Sequence, residues 1–150
     1  MNKPSDNESS LGQYIADPVA HFKSIPWCAA LLEDKRIIST MVPNRTPVAN
    51  TESSLVNTTI NSASTVRACM TFLRAVQNPN DKKKKPLLEI VALVDLGDGM
   101  NGYAKTLHGG FSGVLLDEVM SVAANQQTGE LILQSRSTCM EWTCAQSSSH

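Results

Sequence analysis

The stretch Leu107–Ala124, LHGGFSGVLLDEVMSVAA, decides how this chain is expected to fold. Phe111, Val114, Leu115, Leu116, Val119, Met120, Val122, Ala123 and Ala124 leave no polar face at helical spacing, and a helix apolar all round is one that the rest of a domain surrounds. Two adjacent acids interrupt it. At about 100° per residue, Gly110, Gly113, Asp117 and Ser121 fall on one narrow stripe, so a carboxylate stands over two positions without a side chain. Such a floor lets an extended substrate approach the backbone. A low-dielectric setting would raise the energy of the Asp117 carboxylate and mark it as a candidate base or nucleophile. On physical grounds alone a hydrogen-bonded buried acid fits Asp117 equally well. Glu118 points toward Phe111, Leu115 and Val122, and is read as a structural hydrogen bond or ion pair.

Upstream of this helix the pattern is that of strands. Leu87–Leu96, LLEIVALVDL, is dense in β-branched and aliphatic residues and predicts a strand. Over 65–73, Val66, Ala68, Met70 and Phe72 alternate with Arg67, Cys69, Thr71 and Leu73, which fits a second strand with one better buried face, with a helix as the alternative. Between them PNDKKKKP sets four lysines between two prolines, the chemistry of a wet hairpin loop. Residues 39–63 mix Pro, Asn, Thr and Ser and predict loop with at most one short edge strand. Asp17-Pro18 has the form of a helix cap followed by proline at the first helical position, with Val19, Phe22 and Ile25 on one face. Pro26 breaks that helix, and a second one through Leu32 presents Trp27, Leu31 and Leu32. His21 is read as a surface or packing side chain.

Gly97-Asp98-Gly99-Met100-Asn101-Gly102 spells G-x-G-x-x-G after a hydrophobic strand, where a dinucleotide-binding loop would lie. Asp98 would place negative charge where a pyrophosphate sits, and YAKTLHGG breaks the helix that should follow. The glycines are therefore read as turn chemistry. A nicotinamide-dependent enzyme stays as a third functional alternative.

A chain of 150 residues holds one compact core, read as a single domain over 14–143, with a polar, disordered 1–13 before it and a polar 144–150 after it. The net charge of −1 disfavours nucleic acid as a partner, and no apolar run is long enough to span a membrane. Cys28, Cys69, Cys139 and Cys144 have neither C-x-x-C spacing nor a nearby histidine pair, so they are expected to be free thiols rather than a metal cage. No hydrophobic leader follows the start, which gives an intracellular expectation, with cytoplasm and mitochondrion unresolved, and no cofactor or metal is expected.

His108-Gly109-Gly110 followed by an acid nine residues after the histidine resembles the hotdog-fold acyl-CoA thioesterases of the phenylacetate-pathway and 4-hydroxybenzoyl-CoA type. HGGFSGVLLDE, with IPWCAALL and DLGDGMNG upstream, is similar to the thioesterase-like proteins of fungi, some tied to secondary metabolism. The resemblance implies an α+β hotdog fold, a central buried helix wrapped by a curved antiparallel sheet. It also implies a homodimer with the site at the subunit interface, and an acyl-CoA or acyl-carrier-protein thioester as substrate. Carried over by position, Gly109 supplies the backbone N–H that polarises the thioester carbonyl. Asp117 attacks the carbonyl or activates water, and Ser121 helps orient that water. His108 braces the loop, while Gly110, Gly113 and Asn101 line the substrate. The family has Asn or Gln six residues before the histidine; Gly102 stands there, with Asn101 one residue off. The family continues past its helix with several long strands, whereas 26 residues follow Ala124, so the sheet is expected to be incomplete. A non-catalytic acyl-binding module, or an inactive shortened thioesterase-like protein, is the alternative.

Overall fold

A computed structural model of the chain describes residues 11–77 and 86–127. The fold is mixed α+β, with antiparallel sheets and a long helix after them. Helix α1 (Pro18–Lys23) and helix α2 (Pro26–Leu32) lead into strand β1 (Ile37–Met41), followed by β2 (Val66–Val76), β3 (Leu87–Leu96), β4 (Asn101–Tyr103), β5 (Thr106–Leu107) and helix α3 (Gly109–Gln127). Contacts divide the chain into two compact units between Gly99 and Met100, within the span that the sequence suggests as one domain.

The first unit is built on the sheet β1-β2-β3, antiparallel throughout and unclosed. β2 lies in the middle because it carries the strongest apolar alternation. Val66, Ala68, Met70 and Phe72 are buried, and β2 pairs along its length with β3 from Val66 opposite Leu96 to Val76 opposite Leu87. The register slips once, between Val66 and Ala68, which leaves Arg67 as the extra residue of a bulge. β1 forms one edge of the sheet, joined to β2 from Ile37 opposite Arg74 to Met41 opposite Thr71.

Both short helices start at prolines whose missing N–H costs nothing at the first helical position. Asp17 caps α1, its side chain accepting from the Ala20 N–H at 2.9 Å. The core they complete is Phe22 and Cys28 from the helices with Ala68, Met70, Phe72 and Leu93 from the sheet, bordered by Ile25, Leu31, Leu32 and Val91. Leu31 and Leu32 join this core, whereas Trp27 faces outward, so the apolar patch predicted on α2 is split and Cys28 takes its buried position.

Two expectations are corrected here. The polar tail does not extend to residue 13: Gln13 is buried, its amide donating to the carbonyls of Pro43 and Cys69 and accepting from the Cys69 N–H. Gly12 holds φ +70°, and a Cβ there would sit 2.4 Å from the Thr46 nitrogen, so only glycine fits. The 39–63 region is also more than loop. It contains a π-helical turn, Leu55–Thr59, organised by the buried Arg45, whose guanidinium donates to the carbonyls of Val56, Ile60 and Val66. A charge so placed satisfies backbone acceptors that an irregular segment would otherwise leave dry. The rest of the predicted tail, the lysine-rich hairpin loop, the strands expected over 130–143 and the polar end at 144–150 lie outside the described residues.

Candidate functional site

The second unit brings the histidine-glycine motif together at one joint. After Leu96 the glycine-rich segment forms a 3₁₀ turn, Asp98–Met100, and enters β4 rather than a helix. The helix on whose N-terminus a dinucleotide's pyrophosphate would rest is missing, so the nicotinamide alternative is set aside. Gly97 is instead required by packing, since a Cβ there would lie 2.5 Å from the Ser64 carbonyl carbon. β4 and β5 then form a short hairpin, Asn101 opposite Leu107 and Tyr103 opposite Thr106. The His108 N–H donates to the Met100 carbonyl at 2.9 Å and locks the base of the hairpin to the start of α3.

His108 caps that helix. Its ring Nδ1 accepts from the Gly110 N–H at 3.0 Å, and its carbonyl accepts from Phe111 at 2.9 Å and Ser112 at 3.2 Å. A ring nitrogen that accepts must be bare, so this geometry requires the tautomer with its proton on Nε2. Two of the N–H groups that a helix start leaves open, those of Gly110 and Phe111, are thereby used, while Ser112 makes the first regular helix bond. No hydrogen bond of the Gly109 N–H is found among the described residues, and the space where its Cβ would be is empty to 4 Å. This N–H therefore stands open at the positive end of a 19-residue helix. Gly102, where the resembled family has an amide side chain, packs tightly on this joint, a Cβ there lying 3.1 Å from the His108 Cα. Asn101, beside it, begins β4 and is exposed.

Asp117 lies elsewhere on the helix. Eight residues at about 1.5 Å of rise place it roughly 12 Å along the axis from Gly109, and Ser121 one turn further. Gly110, Gly113, Asp117 and Ser121 are all exposed and do share one face; nothing lies within 4 Å of where a Gly113 Cβ would be. The stripe read from the sequence is present and open.

Its surroundings are different from those predicted. Among the described residues α3 is not covered all round: Gly109, Gly113, Leu116, Met120 and Ala124 continue the exposed arc beside the acid, with Leu116 38% and Met120 66% exposed. Among the helix residues whose burial is described, Leu115 alone is buried, flanked by the half-buried Phe111, Val119 and Val122. Asp117 and Glu118 are both exposed, which corrects the reading of buried acids in a low dielectric. An all-apolar sequence says that a helix wants cover; it does not say that the cover comes from the same chain.

The first unit holds a polar cluster that sequence reading missed. Asp95 on β3 accepts from Arg67 Nε at 3.1 Å and meets His21 Nε2 at 2.8 Å, so α1, β2 and β3 converge on one carboxylate. Burial, reinforced by the Asp95 charge, pushes the Cys28 thiol up from its ordinary value and keeps it protonated. At the sheet's opposite end Arg74 joins Glu89 and Asp34, and the side-chain hydrogen bonds from Arg36 hold the Asp34 carboxyl well below the usual carboxylate range. His21 and Asp95 are 74 residues apart, and no local spacing announces them. Among the described residues no group of three or more His, Cys, Asp or Glu is placed to hold a metal, and no helix is long and apolar enough to cross a membrane. Comparison with protein-family models, with curated proteins and with solved structures finds no match to this chain.

Proposed function

We propose that the chain is a hotdog-fold hydrolase that cleaves an acyl thioester to free acid and thiol, working as a homodimer. The observation that carries this reading is the start of α3, where His108 occupies the Gly110 N–H and the Gly109 N–H is left as an open donor beside a bare helix surface. A backbone N–H held there accepts the charge that develops on a thioester oxygen, and a single such donor is worth about 3 kcal/mol in a transition state.

Asp117 supplies the other half. Its carboxylate takes a proton from water while the water oxygen bonds to the carbonyl carbon. As the C–S bond breaks, the thiolate leaves with the proton that Asp117 returns. Direct attack by Asp117 gives a mixed anhydride that water opens to the same products. One helix cannot bring both groups to one carbonyl, because roughly 12 Å of rise separates them while each must reach within about 3 Å. A second copy lying antiparallel along the exposed arc solves this, setting the Asp117 of one chain against the Gly109 of the other. It would also cover Leu116 and Met120 and lower the dielectric around the acid. Ser121, one turn beyond, is within reach of the attacking water.

The second reading is a non-catalytic acyl-binding module, favoured by the exposure of Asp117 in the single chain. Thiol release from short, long and aromatic acyl-CoAs, followed with a thiol reagent, separates the two. Hydrolysis that Asp117→Asn abolishes supports the enzyme; hydrolysis that survives the substitution refutes this mechanism. Saturable acyl-CoA binding without thiol release supports the module.

A further inference from the structure

The hairpin that carries the histidine-glycine motif ends in two side chains that the reaction does not use. Tyr103, the last residue of β4, is 84% exposed, and Lys105 stands on the two-residue turn beyond it, also exposed, with φ +59°. Neither has a hydrogen-bond or ion-pair partner among the described residues. A phenol ring this exposed leaves most of its apolar area open, and a lysine two residues on, at the same hairpin tip, gives the pair the chemistry of a purine platform with a phosphate contact. The tip is not adrift. Its base is fixed by the His108 N–H to the Met100 carbonyl and by Gly102 packed on the His108 Cα, so its distance from the Gly109 donor is set. Tyr103 faces Thr106, three residues before Gly109, which in extended chain is roughly 10 Å. An extended pantetheine arm bridges such a gap, with its thioester at Gly109 and its far end at the hairpin.

Resting on the thioesterase reading, we infer that Tyr103 and Lys105 read the nucleotide of a coenzyme A thioester, Tyr103 stacking on the adenine and Lys105 contacting phosphate. They would thereby select coenzyme A over carrier-protein thioesters. Both carriers share the arm and a phosphate; only coenzyme A offers a purine.

The test compares acyl-CoA with the matching acyl-pantetheine, which lacks the nucleotide, on the full chain and on Tyr103→Ala, Tyr103→Phe and Lys105→Gln. The exposed positions make all three substitutions compatible with folding, which circular dichroism checks. With acyl-CoA, kcat/KM falls about tenfold in Tyr103→Ala, chiefly through KM, less in Lys105→Gln, and is retained in Tyr103→Phe. With acyl-pantetheine none of them changes it. Equal losses on both substrates, or no loss on either, overturn the assignment. Should the wild type hydrolyse neither substrate, the thioesterase reading falls by itself, and calorimetric titration with coenzyme A and with free adenine nucleotide decides the hairpin. Binding of coenzyme A that Tyr103→Ala weakens keeps the nucleotide site; absent or unaffected binding removes it. Free nucleotide binding as tightly as coenzyme A assigns the tip to nucleotides in general and overturns a role in carrier choice.

Discussion

Replacing Gly113 by alanine is expected to stabilise the protein and impair its activity at once. A Cβ built at Gly113 meets nothing within 4 Å, and the backbone there is helical without a left-handed φ, so no steric cost opposes the substitution. What remains is helix propensity: glycine in a helix interior is less favourable than alanine by about 1 kcal/mol. In a chain of this size that corresponds to a rise in Tm of roughly 2–4 °C where unfolding is cooperative. The same methyl group occupies the floor over which Asp117 stands. If the thioester or a second copy lies along that floor, a displacement of the order of 1 Å costs up to about 100-fold in thiol release. Thermal denaturation followed by circular dichroism, beside kcat/KM for acyl-CoA, reads both effects on one preparation. A variant less stable than wild type would mean that something covers the stripe. A variant that is more stable and fully active would mean that the bare surface has no part in function.

Other consequences follow from the first unit. Removing Asp95 strips Arg67 and His21 of a shared acceptor, and Asp95→Ala is expected to cost about 2–3 kcal/mol in urea denaturation, against near-neutrality for substituting the exposed Lys35. The Asp34 carboxyl is lowered by Arg36, so its contribution to stability is complete above the unfolded value of about 4 and declines as pH falls toward the folded value. The urea midpoints of wild type and Asp34→Asn should therefore differ at pH 7 and converge in acid; a gap that widens in acid refutes the assignment. The buried Cys28, with its thiol pushed up, should resist iodoacetamide at pH 8 until denaturant is added, while the half-buried Cys69 reacts before it, as peptide mass spectrometry would show. Phe72→Ala, in the centre of the sheet's buried face, should cost about 3–5 kcal/mol.

Much of the first unit is legible in the sequence because its signals are local. The apolar density of LLEIVALVDL marks β3 from Leu87 to Leu96, and the alternation from Val66 to Phe72 marks the buried face of β2. Asp17-Pro18 announces α1 through the same hydrogen bond that the structure contains. What escapes is long-range. Arg45 draws a π-helical turn out of a segment whose composition reads as plain loop, and His21 looks idle until β3 brings Asp95 to it. In the second unit the spacing gives the stripe along α3. Periodicity does not give the environment of Asp117, because an apolar pattern measures the demand for burial and not its source.

The two-chain site is tested most directly by mixing two variants that are each inactive. Asp117→Asn removes the acid. Gly109→Pro removes the open N–H at the first helical position, where proline suits a helix start. In a randomly exchanged dimer half the molecules are mixed, and each of those regains one intact site of two, so the mixture is predicted to recover about a quarter of wild-type thiol release. A mixture that stays as inactive as its components, while size-exclusion chromatography shows exchanged dimers, would contradict a site shared between Gly109 of one chain and Asp117 of another.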